Sequence, residues 1–163
     1  MPPASIRPLH DLHEAATCAR MMARSEPWKT LRRDFHAAYS LVTDPLREVA
    51  VAELEGDIAG FVIITMHGAF VGYIQSICVT EHRRGQGIGT TLIGYAEQRI
   101  FRDTPNVFLC VSSFNSSAQR LYQRLGYHIV GALADYVVVG HSELLLRKTI
   151  APLADFQSDS PSA

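Results

Sequence analysis

Apolar positions recur along this chain with two different periods, and the switches between them mark out its expected elements. Ser5-Ile6-Arg7-Pro8-Leu9 reads as a short first strand. Asp11 stands where it can cap a helix carrying Leu12, Ala15, Ala16, Ala19 and Met22. Pro27 interrupts, and a second helical stretch is expected from about Thr30 to Tyr39, followed by a turn at Asp44-Pro45. Two apolar runs rich in β-branched residues come next, Glu48 to Leu54 and Ile58 to Met66, split by Glu55-Gly56-Asp57 in the pattern of a hairpin. A third β-rich run extends from Phe70 to Val79, so the sheet starts antiparallel. From Gly87 the spacing changes to four, with Ile88, Leu92, Ala96 and Ile100 forming the apolar stripe of a helix that packs on a sheet. Pro105-Asn106 breaks this helix, and Val107 to Val111 reads as a short buried strand. Ser116 to Arg124 reads as another amphipathic helix, stopped by Gly126, and Tyr127 to Val130 and Ser142 to Lys148 as two last strands. The order is that of an α/β fold of the mixed α+β kind. Residues 1–150 are expected to form one domain and 151–163 a flexible tail.

Composition narrows the function more by exclusion than by assignment. The chain has 163 residues, enough for one domain with a sizeable core, and its 47% hydrophobic and 19% charged residues are those of an ordinary globular protein. A net charge of -1 recommends neither nucleic acid nor anionic lipid as a partner. The start, Met1-Pro2-Pro3-Ala4-Ser5-Ile6-Arg7, lacks the apolar run of a signal peptide, and no apolar stretch is long enough to span a membrane. Cys18, Cys78 and Cys110 are odd in number and form no CxxC pair, and the seven histidines show no metal-ligand spacing. No metal is expected, and the reducing cytoplasm is the expected compartment.

The most informative local stretch is Val79-Thr80-Glu81-His82-Arg83-Arg84-Gly85-Gln86-Gly87-Ile88-Gly89-Thr90, between a strand and a helix. Glycine lets the main chain approach a ligand and adopt dihedrals that other residues resist. The helix start adds outward N–H groups and partial positive charge, which together make a cradle for phosphate or pyrophosphate. Arg83 and Arg84 add charge at its lip. A tight turn beside solvated arginines is the plainer alternative. A P-loop would need lysine after its last glycine, where Thr90 stands, and the dinucleotide fingerprint would need glycine at that same position.

Downstream lies Asn115-Ser116-Ser117-Ala118-Gln119-Arg120-Leu121-Tyr122-Gln123-Arg124-Leu125-Gly126-Tyr127. Residues seven apart on a helix differ by only about 20° in direction, so Asn115 and Tyr122 share a face, with the small Ala118 between them. A narrow chain could run along that face. Asn115 as a simple helix cap and Tyr122 as a core aromatic with a polar tip are the alternatives.

Taken together, Arg84-x-x-Gly87-x-Gly89 and Asn115-x-x-Ala118-x-x-x-Tyr122-x-x-x-Gly126-Tyr127 resemble the two hallmarks of the GNAT acyltransferase superfamily, over roughly Phe70 to Lys148. The resemblance implies a central, mostly antiparallel sheet with one splayed parallel strand pair, here Tyr73 to Val79 and Val107 to Val111, and flanking helices. It implies transfer of an acetyl group from acetyl-CoA to a primary amine by direct attack through a tetrahedral intermediate. It assigns the pantetheine to the main chain of Ile77, Cys78 and Val79 and to Asn115, and the pyrophosphate to Arg84, Gly85, Gln86, Gly87, Ile88, Gly89 and Thr90. Tyr122 becomes the general acid for the leaving thiolate. A homodimer is a family-level expectation. A non-catalytic acyl-CoA-binding module is the competing class, kept open because the base is hard to find.

Ribosomal-protein alanine acetyltransferases, which the domain partly resembles, usually carry a glutamate where Cys110 stands here, and a cysteine is a poor replacement for it. Glu81 and a water relay through Gln75 or Ser76 are alternatives. Trp28 stands where it could line an acceptor pocket or staple the core. Asp135, Tyr136, His141 and Glu143 fall at a strand junction and are expected as solvated turn residues more than as substrate contacts.

Overall fold

A computed structural model describes residues 3–159 of the chain, organised as two compact units. The first unit runs up to Thr65 and includes Gln75–Ala96; the second comprises Met66–Ile74 and the chain from Glu97 onward. Seven strands are hydrogen-bonded in the order β1-β2-β3-β4-β5-β7-β6, in which β4–β5 is parallel and β1–β2, β2–β3, β5–β7 and β6–β7 are antiparallel. These are β1 (Ser5–Pro8), β2 (Arg47–Leu54), β3 (Asp57–Thr65), β4 (Tyr73–Val79), β5 (Asn106–Ser112), β6 (His128–Ala134) and β7 (Ser142–Thr149). With α1 (Leu12–Ala23), α2 (Phe35–Val42), α3 (Ile88–Ile100) and α4 (Ser116–Arg124), they make the mixed α/β architecture expected from the sequence.

In the first unit Asp11 starts α1 as expected, its carboxylate accepting from Glu14 N–H at 2.9 Å. The inward face of α1 is Ala15, Cys18, Ala19 and Met22, which pack with Ala38 and Val42 of α2 and with Val51, Phe61, Ile63 and Cys78 of the strands. Leu12, expected on that face, lies in the first turn and is 68% exposed. The second helix starts later than the apolar pattern suggested. Arg32 adopts φ 56°, which no helix interior accommodates, and the helix restarts where Asp34 accepts from Ala37 N–H at 2.9 Å. In α3, Ile88, Leu92, Ala96 and Ile100 are all buried, as their spacing required.

The second unit holds β4's first two residues, paired in parallel with β5 as Tyr73↔Phe108 and Ile74↔Leu109. The run expected to be extended from Phe70 enters the strand only at Tyr73, since Phe70 and Val71 sit exposed in the preceding bends. Strand β5 buries Val107, Leu109 and Val111 on one side and pairs along its length with β7. Strand β6 starts one residue later than expected and continues to Ala134, with all seven of its residues exposed. Tyr127, just before it, is buried at 2% exposure. The tail expected to be loose from Pro152 forms a short 3-10 turn at Leu153–Asp155, and Asp159 N–H donates to Arg102 O at 2.9 Å. The rest of the expected tail, from residue 160, lies outside the described residues, as do Met1 and Pro2.

Candidate active site

The first unit carries the glycine-rich turn. Strand β4 ends at Val79, a single 3-10 turn spans Glu81–Arg83, and the chain then enters α3 through Gly85 (φ 76°) and Gly87 (φ 82°). Both dihedrals lie in the left-handed region that side chains resist, which is why these two positions are glycine. A Cβ built at either one would meet nothing within 4 Å, so the loop faces open space with room for a ligand. Thr91 N–H donates to Gly87 O at 3.0 Å, so the N–H groups of Ile88, Gly89 and Thr90 precede the first donor inside the helix. Those N–H groups and the helix dipole are the anion-attracting part of the loop.

The arginines beside the loop differ. Arg83, expected at the lip, is bound to Glu55 at 2.6 Å. Arg84 is exposed, with its Nε donating to Val79 O at 3.3 Å, and its charge remains at the loop. Gln86 and Thr90 are exposed, Gly89 is half-buried, and Ile88 anchors the helix start in the core. Along β4, Ile77 and Val79 are half-buried, while Cys78 turns its side chain into the core, where burial pushes its thiol up to about 11. The side chain of Cys78 is therefore unreactive, and only its main chain is available to a ligand.

The second unit carries α4. Asn115 is its cap, its side-chain oxygen accepting from Ala118 N–H at 3.3 Å. Gln119 ties the helix to the end of β5 by donating to Ser112 O at 3.1 Å and Ser113 O at 3.0 Å. Tyr122 is half-buried and packs edge-on against Tyr127, ring centroids 5.6 Å apart. Burial pushes its phenol up to about 12, so it holds its proton throughout the neutral range. Tyr127 lies against the Lys148–Glu97 ion pair, which closes at 2.9 Å, and burial, then Glu97, raises its phenol as well.

One residue was misjudged from the sequence. Glu143, expected as a solvated turn residue, is the second residue of β7 and only 6% exposed. Ser112 Oγ donates to its Oε1 at 2.7 Å. Its one sequence signal was position, at the start of an apolar strand. Cys110 is half-buried, and its thiol is raised first by burial and then by the Glu143 charge, so it is no base. Glu81 is exposed in the 3-10 turn, and Trp28 packs against the core cluster of the first unit.

With this geometry in place, comparison with known proteins is informative. The family model described as Acetyltransferase (GNAT) family matches residues 9–127, and the chain belongs to that family. It is 31% identical over 110 residues to an N-alpha-acetyltransferase of Sulfurisphaera tokodaii, a match covering 59% of this chain. The match spans 65% of that relative, just under two thirds of its length. Among solved structures, a GNAT-family protein from Desulfovibrio desulfuricans superimposes with a TM-score of 0.75 at 19% identity, covering 91% of this chain and 99% of the other. An aminoglycoside 6'-N-acetyltransferase complexed with coenzyme A gives a TM-score of 0.73 at 17% identity, over 91% and 98% of the two chains. At such identities these two structures speak to fold alone.

Proposed function

We propose that this chain is an N-acetyltransferase, moving the acetyl group of acetyl-CoA to a primary amine by direct attack. The observation that carries the reading is the loop at Gly85 and Gly87: left-handed dihedrals, open space and unpaired helix-start N–H groups suit a pyrophosphate. Family membership and the coenzyme A complex of the aminoglycoside enzyme name which pyrophosphate compound to test first. In this reading the main chain from Arg84 to Thr90 holds the pyrophosphate, with the Arg84 charge beside it. The main chain of Ile77 to Val79 and the amide of Asn115 take the pantetheine. The thioester supplies an activated acyl carbon. A main-chain N–H of β4 stabilises the oxyanion that forms there.

Tyr122 is the proton donor at the leaving sulfur. Its raised phenol keeps the proton available at neutral pH, and giving it up to a thiolate is uphill for a group near 12. Tyr122 therefore acts first as a hydrogen-bond donor to the developing thiolate and transfers its proton as the C–S bond breaks. The likeness to the Sulfurisphaera enzyme raises the α-amine of a peptide as one acceptor to test. We place the reaction in the cytoplasm, where three unpaired cysteines stay reduced. A homodimer is the expected assembly, and the exposed Ile129, Val130 and Leu133 of β6 offer an apolar edge for it.

Thermal unfolding with and without excess acetyl-CoA tests the cofactor. A ligand at 100 times its dissociation constant adds about 2.7 kcal/mol and raises the midpoint by several degrees. No shift with acetyl-CoA at millimolar concentration would sink the reading. Tyr122→Phe then separates enzyme from binding module: turnover should fall about 10²-fold while the acetyl-CoA-induced shift is kept.

A further inference from the structure

One glycine of the first unit is explained neither by a turn nor by its dihedrals. Gly60 lies inside β3, buried, and is not among the glycines with positive φ. Glycine weakens a strand interior, and it persists there where another backbone comes close. Here that backbone is β4. A Cβ built on Gly60 would lie 2.8 Å from the Cys78 carbonyl oxygen, too close for the two to coexist, so the strand would have to move. Its other near neighbours are Leu92 Cδ1 at 3.1 Å and Ile88 Cγ2 at 3.4 Å, both side-chain atoms of α3. Just past β4, Thr80 is tied to the neighbouring residue of β3. It donates to Ala59 O from its N–H at 2.9 Å and from its hydroxyl at 3.3 Å.

Val79 is therefore fixed from both sides, by the Cys78 carbonyl seated over Gly60 and by Thr80 on Ala59. A trans peptide is planar, with its C=O and N–H pointing in opposite directions. The Cys78 carbonyl and the Val79 N–H belong to one such peptide, so the N–H is turned away from β3. The Val79 carbonyl accepts from Arg84 Nε at 3.3 Å, and the β4–β5 ladder ends at Ile74. We infer that Gly60 is a positioning residue for the cofactor: the space over its Cα seats the Cys78 carbonyl, and this aims the Val79 N–H at the ligand. The inference rests on the reading of Ile77 to Val79 as the main chain that takes the pantetheine. Gly60 itself touches no ligand and acts through the strand beside it.

A methyl group on residue 60 would meet two kinds of neighbour. The end of the Leu92 side chain can give way by a small rotation. The Cys78 carbonyl can give way only if its peptide plane turns or β4 shifts, and either change carries the Val79 N–H with it. The methyl reaches α3 only through the side chains of Ile88 and Leu92, not through the N–H groups at the helix start. Substitution is therefore expected to act on the strand half of the cofactor cradle.

The test is calorimetry with acetyl-CoA on wild type, Gly60→Ala and Val62→Ala, below all three unfolding midpoints. Val62 is fully buried on the same face of β3, and its truncation removes packing without adding an atom near the Cys78 carbonyl. Gly60→Ala should bind acetyl-CoA about tenfold more weakly, the size of one hydrogen bond lost, and Val62→Ala within about twofold of wild type. In the ligand-free protein the Val79 amide resonance should move further in Gly60→Ala than in Val62→Ala, a readout that needs neither binding nor turnover. Wild-type affinity in Gly60→Ala, an equal loss in Val62→Ala, or an unmoved Val79 amide would overturn the inference. A wild type that fails to bind acetyl-CoA defeats the cofactor reading itself, which is a separate result, and the amide resonance still shows whether Gly60 sets that peptide. Gly60→Ala/Leu92→Val removes the side-chain contact and keeps the carbonyl one, and it serves also if Gly60→Ala alone fails to fold. It should bind about tenfold more weakly than Leu92→Val. Recovered affinity would place the effect in α3 and overturn the role given to the Cys78 carbonyl.

Discussion

The two units put their polar chemistry in different parts of the polypeptide. In the first, the interior is an apolar cluster around Met22, Phe61 and Ile63, and the groups offered to a ligand are main-chain N–H groups at the start of α3. Several of its charged side chains form partly exposed ion pairs, Arg7 with Glu14 and Glu53, and Arg83 with Glu55, while Arg84 keeps its charge at the loop. In the second, Thr104, Asn106, Ser112 and Glu143 are buried, against Ser76 in the first, and the candidate chemistry lies in side chains. A main-chain site is sensitive to backbone conformation and tolerant of side-chain identity. A side-chain site has the opposite sensitivity.

Substitutions can break or sharpen this contrast. The largest effect is expected from Phe61→Ala, which empties a fully buried position of the first unit and should cost about 3–5 kcal/mol in a denaturant titration. If it cost no more than a surface change, the apolar cluster would not be what holds that unit. Gly87→Val comes next. A β-branched residue at φ 82° adds strain of about 1–3 kcal/mol, and acetyl-CoA affinity measured by calorimetry should fall at least tenfold. Unchanged affinity would mean that the loop conformation is irrelevant to binding.

The smallest effect is expected from Glu14→Gln. The hydrogen-bonded guanidinium of Arg7 lowers this carboxyl from 4.5 to about 2. Because the folded-state pKa is depressed, its stabilising contribution is present above about 4.5 and is lost as pH falls toward 2. Glu14→Gln should thus be slightly less stable than wild type at neutral pH, with the difference vanishing in acid. The pair is partly exposed, so the neutral-pH difference stays small and shrinks with added salt.

What was legible beforehand follows the same division. Helix α3 and the loop before it could be read directly, because Ile88, Leu92, Ala96 and Ile100 repeat at one period and the glycines stand where left-handed dihedrals are needed. Helix α4 matched its expected bounds, since Asn115 caps it and Gly126 follows it. The start of α2 was missed because a left-handed arginine leaves no mark on an apolar pattern. Glu143 was misjudged for a different reason. A glutamate at a strand entry reads as solvated unless its cross-strand neighbour is known, and that neighbour, Ser112, lies 31 residues earlier in the chain.

By itself, then, the sequence determined the features that depend on neighbours along the chain: helical period, caps, the hairpin at Glu55-Gly56, and the two motifs that carry the family resemblance. Tertiary structure alone decided which polar side chains are buried together. Tyr73, Cys110, Ser112 and Glu143 come from three strands and meet only through the pairing of β4, β5 and β7. Strand pairing is set by packing over the whole sheet, and a one-residue change of register would turn each of these side chains to the opposite face.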